Sequence, residues 1–138
     1  MSTSEPPAPS GIHHIGLTVT DLERSGEWYS RVLGLERAFE IEDVQGRGRK
    51  VAFLIPGTPV RLAMALHQSN QGERFSEFRT GMDHLAFTVA DRAELDRWVA
   101  RLDGLGVPHS DITEGQTGWF IALRDPDNIQ LELYTRSK

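Results

Sequence analysis

Two stretches decide the fold of this chain, IHHIGLTVTDLERSGEWYSRVLGL at residues 12–35 and MDHLAFTVADRAELDRWVARLDGL at residues 82–105. They align without a gap at a constant offset of 70 residues, which places His14 over His84 and pairs seven further identical positions. Such self-similarity indicates one structural unit that occurs twice. Neither copy, at roughly 55 residues, can cover both faces of a sheet alone, so we expect the two units to pack together or with a second chain.

Hydrophobic periodicity predicts the same element order in both units. Alternation in the first stretch predicts a strand with Ile15, Leu17 and Val19 on one face, followed by a helix that Asp21 caps. Each unit is therefore predicted as strand, helix and three strands, which is an α+β fold built from two βαβββ modules. The helices are predicted at 22–33 and 92–102, and the later strands at 37–42, 50–55, 60–67, 107–112, 119–123 and 129–135.

Length and composition narrow the possibilities further. A chain of 138 residues fits one domain, predicted at 11–138 with modules at 11–67 and 82–138, a connector at 68–81 and a flexible tail at 1–10. The net charge is -5 and the basic residues form no block, so we expect no nucleic-acid partner. There is no cysteine, so any metal must be bound by His, Asp or Glu. No apolar run spans a membrane and no signal-peptide pattern is present, so we expect no membrane partner and a cytoplasmic location.

The face opposite the helices carries the candidate chemistry. By strand parity, His14 and His84 point away from the helices on equivalent strands, and so does Glu132 on the last strand. Glu132 lies between two core leucines, where a carboxylate is costly to bury without a cation, a hydrogen-bond donor or water. The three side chains therefore predict a divalent metal site with open coordination positions, suited to Fe, Mn, Zn or Ni.

The quoted stretches, together with RDPDNIQLELYT at residues 124–135, resemble the vicinal-oxygen-chelate superfamily. That family includes glyoxalase I, bleomycin-resistance proteins and extradiol dioxygenases. The resemblance covers about residues 11–135 and implies two modules whose sheets curl around a central cavity, often completed by a second subunit, with helices on the outside. It also implies that the metal ligands are His14, His84 and Glu132.

The chain departs from the family pattern at several positions. The first-module counterpart of Glu132 is Ala63, which cannot bind metal, so three protein ligands remain. His67 has the same parity as Ala63 but lies roughly 13 Å further along the strand, so it reaches the same ion only across a bulge. We treat His67 as a candidate substrate contact. Ala122 replaces the tyrosine of ring-cleaving dioxygenases, which disfavours extradiol cleavage. Asn128 replaces the usual glycine of a DPDG turn and tolerates the left-handed conformation.

Two functions of different classes fit these residues. The first is a metalloenzyme whose ion polarises an oxygen-bearing small molecule in lyase, isomerase, transferase or oxygenase chemistry, with Glu132 as the catalytic proton carrier. The alternative is a metal-free protein of the bleomycin-resistance type that sequesters a drug or metabolite. We expect a homodimer and a small-molecule partner in either case. Candidate substrate contacts are His67, Trp119 and Tyr134; the alternative adds Phe75, Phe78 and Phe120 as a stacking surface.

Overall fold

The structure is a computed structural model and describes residues 4–138. It confirms the α+β class and the two βαβββ modules. Residues 1–3 of the predicted tail lie outside the described residues, and residues 4–10 are exposed and form no helix or strand. The elements are β1 (His14–Thr18), α1 (Leu22–Leu33), β2 (Glu36–Ile41), β3 (Gly48–Leu54), β4 (Arg61–His67), β5 (Leu85–Val89), α2 (Arg92–Leu105), β6 (Thr113–Glu114), β7 (Trp119–Arg124) and β8 (Gln130–Thr135).

Each module forms its own four-stranded mixed sheet. The strand orders are β1-β4-β3-β2 and β5-β8-β7-β6, so the first strand of each module pairs with its last. Those two pairings are parallel, whereas the neighbouring pairs are antiparallel. The register sets Gly16 beside Ala63 and Ala86 beside Glu132. Ala63 therefore occupies in the first module the position of Glu132 in the second, as predicted.

Both helices begin where the sequence places them, but the second ends later than predicted. The backbone N–H groups of Arg24 and Glu94 donate to the side chains of Asp21 and Asp91, which cap α1 and α2. Helix α1 ends at Gly34, whose φ of 74° is left-handed. The repeat puts Gly104 at the corresponding place in α2, yet the helix runs on to Leu105 because the left-handed position there is taken by Gly106, with φ 69°.

The strand predicted at 107–112 is wrong. Those residues form no strand, and the short β6 follows them. Pro108 has no backbone N–H for a ladder, and His109 makes only an isolated bridge to Leu123. The Ser110 hydroxyl then accepts a hydrogen bond of 2.9 Å from the Ala122 N–H, in place of a backbone carbonyl. The edge of β7 beside Ala122 is consequently lined by an irregular segment.

One hydrophobic cluster contains buried residues of both modules. The turn between β7 and β8 adds polar contacts across the module boundary. The Tyr29 hydroxyl donates to Asp125 over 2.7 Å, and Asp127 accepts from the Thr20 N–H at 3.0 Å, from the Thr20 hydroxyl and from Arg24 at 3.1 Å. Asn128 is left-handed with φ 71°, so the altered turn is retained as predicted. In residues 4–138, no helix is long and apolar enough to cross a bilayer.

Candidate metal centre

The predicted strand parity holds at both candidate histidine strands. Leu17 and Val89 are buried on the core side. The residues of the opposite parity are exposed in both modules: His14, Gly16 and Thr18 in the first, and His84, Ala86 and Thr88 in the second. Each module thus presents an open sheet face that begins with a histidine.

The structure brings His84 and Glu132 together on the face of the second sheet. His84 Nε2 lies 3.7 Å from Glu132 Oε1. The residue Glu132 is only 7% exposed, and its other oxygen, Oε2, accepts a hydrogen bond of 3.1 Å from Gln130. Oε1 is thereby directed towards the imidazole. A nearly buried carboxylate beside a half-exposed histidine leaves one oxygen without a hydrogen-bond donor within the described residues.

The separation of this pair suits a shared ion. Zinc-type ligands bind at about 2.0–2.2 Å, so two ligand atoms on one ion lie at most about 4.2 Å apart. The observed 3.7 Å falls inside that limit but is too long for a hydrogen bond. The donor set of imidazole and carboxylate is also the one that divalent transition metals accept. His84 and Glu132 therefore fit two ligands of a metal site.

His14 does not join this pair within one chain. Among residues 4–138, no group of three or more His, Cys, Asp or Glu side chains is placed to hold one ion. Nδ1 of His14 instead lies 2.8 Å from Nδ1 of the neighbouring His13, and the two rings meet edge to face. The ring of His14 is exposed, so a group from outside its own sheet can contact it.

His67 is the last residue of β4, and no bulge moves it towards His84 and Glu132. Strand β4 pairs with β3 in unbroken register from Arg61 to His67. The bulge that a metal role for His67 requires is therefore missing from β4. His67 is half-buried at the strand end and remains a predicted substrate contact.

Trp119 does not share the face of Glu132. It has the parity of the buried Ile121, and its ring packs under the Arg92 guanidinium of α2 at 4.8 Å. The structure therefore places this predicted substrate contact on the helix side of the sheet, since alternate residues along β7 share a face. Phe120, one residue further, takes the position on the open face.

Phe120 and Tyr134 form an aromatic pair beside Glu132. Their rings are stacked at 5.0 Å with an interplanar angle of 15°, and the two residues pair across β7 and β8. Gly115 closes over the Tyr134 hydroxyl so tightly that a Cβ there would lie 1.8 Å from it. Tyr134 alternates with Glu132 along β8 and shares its face. A planar ring bound against Phe120 and Tyr134 would lie next to His84 and Glu132.

A recess of about 320 Å³ lies beside Ala122 and Gln130, and we call it the Ala122 recess. Ala122 is the cross-strand neighbour of Glu132, and Gln130 links the recess to the carboxylate. The irregular 107–112 segment forms one wall of the recess through Pro108 and His109. Its lining residues are Pro108, His109, Ala122, Leu123, Arg124 and Gln130.

His109 is held by two acceptors at the rim of this recess. Nε2 lies 2.7 Å from an Asp103 oxygen, and Nδ1 lies 2.7 Å from the Ser110 carbonyl. Both contacts need an N–H, so the ring is favoured in its protonated form. The hydrogen bond with Asp103 is the main cause that raises the pKa of His109 above its ordinary value. The strand predicted at 107–112 gave no sign of this contact.

Comparisons with known proteins agree with this fold. The model of the Glyoxalase/Bleomycin resistance protein/Dioxygenase superfamily matches residues 11–133. The chain belongs to this superfamily. A glyoxylase/bleomycin resistance protein/dioxygenase domain from Frankia sp. EAN1pec superposes with a TM-score of 0.83 at 31% identity, covering 94% of this chain and 99% of that one.

Two further relatives have a named activity or a bound ligand. A catechol-2,3-dioxygenase of Bacillus subtilis (strain 168) is 30% identical over 129 residues, which cover 88% of this chain and 41% of that protein. The chain therefore spans less than half of that relative. A mutant fosfomycin resistance protein from Listeria monocytogenes was solved with Mn(II) and 1S,2S-dihydroxypropylphosphonic acid. It shares 25% identity and a TM-score of 0.66, over 92% of this chain and 90% of that one.

Proposed function

We propose that the protein is a metal-dependent enzyme that activates a small oxygen-bearing substrate at a site formed by His84 and Glu132 of one chain and His14 of a second copy. The single observation that carries the proposal is the 3.7 Å approach of His84 Nε2 to Glu132 Oε1 on an open sheet face. The ion is one of Fe, Mn, Zn or Ni, and the reaction is of the lyase, isomerase, transferase or oxygenase type.

The proposal needs a second copy of the chain because the three ligands lie on different modules. His14 lies on the open face of the first sheet, whereas His84 and Glu132 lie on that of the second. A two-fold dimer that set the first sheet of one chain against the second sheet of its partner would create two equivalent three-ligand sites. The same contact would cover the exposed polar faces that one chain leaves open.

The residues around the pair have distinct roles in this proposal. A bound divalent ion supplies Lewis-acid polarisation of a substrate oxygen. Gln130 holds one oxygen of Glu132 and leaves the other free to bind the ion or to take a proton from the substrate. Ala122 opposite Glu132 leaves room for the substrate, and the Phe120–Tyr134 stack offers a flat surface beside it. Support from relatives is limited to the Mn(II) bound in the structure of the fosfomycin resistance protein.

Subunit complementation tests the proposal. Protein purified without chelator or His-tag is expected to bind a transition metal, and His14→Ala and His84→Ala are each expected to lose it. Refolding the two variants together creates mixed dimers with one intact site, so metal binding should return to about a quarter of an equivalent per chain. His67→Ala is the matched control and should retain full binding. Mixtures that regain no metal would refute the shared site, and wild type that binds none would refute the metal function.

A metal-free binding protein is the second candidate, favoured by the stacked pair of Phe120 and Tyr134. The net charge of -5 would then favour a cationic aromatic ligand. Bleomycin is a suitable probe in isothermal titration. Binding that is unchanged by EDTA and by His84→Ala, but lost in Phe120→Ala, would support sequestration. Binding that requires the metal would return the site to the enzyme proposal.

A further inference from the structure

We propose that Asp83, the residue before the candidate ligand His84, is a positioning residue. It fixes the proton on Nδ1 of His84 and so leaves the Nε2 lone pair free for an ion. The inference rests on the proposed metal function for its purpose, but the tautomer that it specifies can be measured without metal.

The geometry at His84 fixes the tautomer. An Asp83 oxygen lies 2.8 Å from Nδ1 of His84. An ionised carboxylate only accepts hydrogen bonds, so the proton of the neutral ring must be on Nδ1. Nε2 is then the bare nitrogen, and it is this atom that faces Glu132 at 3.7 Å. A carboxylate that orients the far nitrogen of a metal-binding histidine is a common arrangement around metal sites.

The first module has a histidine where the second has Asp83. The offset of 70 that places His14 over His84 also places His13 over Asp83. His13 Nδ1 lies 2.8 Å from His14 Nδ1, so one proton is shared between two nitrogens. Either ring can donate in this contact, so it does not fix the tautomer of His14, and the positioning role is assigned to Asp83 alone.

The charges around Asp83 leave it available to His84. Glu77 and Asp83 both raise the pKa of Arg124, and Glu77 is the larger cause. Glu77 engages Arg124 through both oxygens, at 2.9 and 3.0 Å. The side chain of Asp83 is 69% exposed, so its hydrogen bond adds little to folding stability. Variants of Asp83 should therefore fold normally and report on the imidazole alone.

Nitrogen-15 NMR of the metal-free full chain, labelled at histidine and recorded at pH 8, tests the tautomer. His84 is expected to show the Nδ1–H form in wild type. Asp83→Ala should shift it towards the Nε2–H form, which neutral imidazole favours in water. Asp83→Asn should restore Nδ1–H, because the amide oxygen also accepts. Asp96→Ala, at an exposed carboxylate paired with Arg92, is the matched control and should change nothing.

Titration with Zn²⁺ completes the test. Asp83→Ala should weaken affinity about 10- to 100-fold, and Asp83→Asn should weaken it less. A wild-type His84 in the Nε2–H form, or an Asp83→Ala spectrum like that of wild type, would overturn the positioning role. A tautomer shift with unchanged affinity would overturn its link to metal. If wild type bound no Zn²⁺, the proposed function would fail, while the spectra would still decide how Asp83 acts on His84.

Discussion

Replacing Tyr29 by phenylalanine removes one hydroxyl from the boundary between the modules and leaves the ring in place. Tyr29 is fully buried and Asp125 is 5% exposed, so no water replaces the lost donor. Burial and the adjacent Asp125 raise the pKa of Tyr29, which keeps its hydroxyl a donor. A hydrogen bond to a charged acceptor contributes about 1.5–3 kcal/mol, and we expect Tyr29→Phe to reduce the free energy of unfolding by that amount.

The cost of Tyr29→Phe should depend on pH with a definite sign. Burial is the main cause that raises the pKa of Asp125, so the folded protein binds this proton at a pH where the unfolded chain has released it. Asp125 therefore favours folding more below its folded pKa than above it. Once it is protonated, Tyr29 donates to a neutral acceptor, and the loss should fall to about 0.5–1.5 kcal/mol.

Urea unfolding at pH 7.5 and at acid pH measures both quantities. Tyr134→Phe is the matched control, since Tyr134 is the chain's other tyrosine and its hydroxyl donates no hydrogen bond within residues 4–138; it should cost below about 0.5 kcal/mol. Asp125→Asn should reduce the cost of Tyr29→Phe to that of a neutral pair. A Tyr29→Phe loss no larger than the control, or one that grows on acidification, would refute the reasoning.

Three further changes follow from other contacts. Asp103→Asn should lower the pKa of His109, which the hydrogen bond with Asp103 raises. The stability that this raised pKa contributes is present below about pH 6.5 and is lost as pH rises through the folded value. Histidine NMR should show the lower pKa, and urea unfolding should show a smaller loss of stability with rising pH in the variant. Asn128→Ala should cost about 1–2 kcal/mol at φ 71° in thermal unfolding, and Asn128→Gly less. Arg124 lowers the pKa of Glu77 to about 2, so Glu77→Gln should flatten the fall in stability between about pH 4.5 and 2.

Each of these has an outcome that contradicts it. An unchanged His109 titration in Asp103→Asn would show that the carboxylate does not hold the ring. Equal melting temperatures for the alanine and glycine variants at Asn128 would remove backbone strain as the cause. Acid unfolding that is the same with and without the Glu77 carboxyl would mean that its link to Arg124 does not distinguish folded from unfolded chain.

The repeat and the strand parity were sufficient to predict most of the architecture. Local alternation identified which face of β1 and β5 is open, and the match of Leu62 and Met64 to Leu131 and Leu133 identified Ala63 as the counterpart of Glu132. The segment at 107–112 was misassigned because its apolar residues fit a strand while Pro108 removes a donor that the ladder needs. That error also hid the Ala122 recess.

The site was only partly accessible from sequence for a different reason. Parity specifies on which side of a sheet a residue lies, but not which sheets meet, so it grouped His14 with His84 and Glu132 although one chain keeps them apart. The contact of Asp83 with His84 was likewise invisible, because adjacent residues in an extended chain are expected on opposite faces.

The β7–β8 turn has a consequence for how the protein would respond to strain. Asp125 and Asp127 accept hydrogen bonds from the first module, and only four residues separate Asp127 from Glu132 on the strand that follows. A change in how the two modules pack against each other would therefore shift the strand that carries Glu132. If Glu132 binds a metal as proposed, weakening these contacts would change the affinity for that metal before the molecule unfolds.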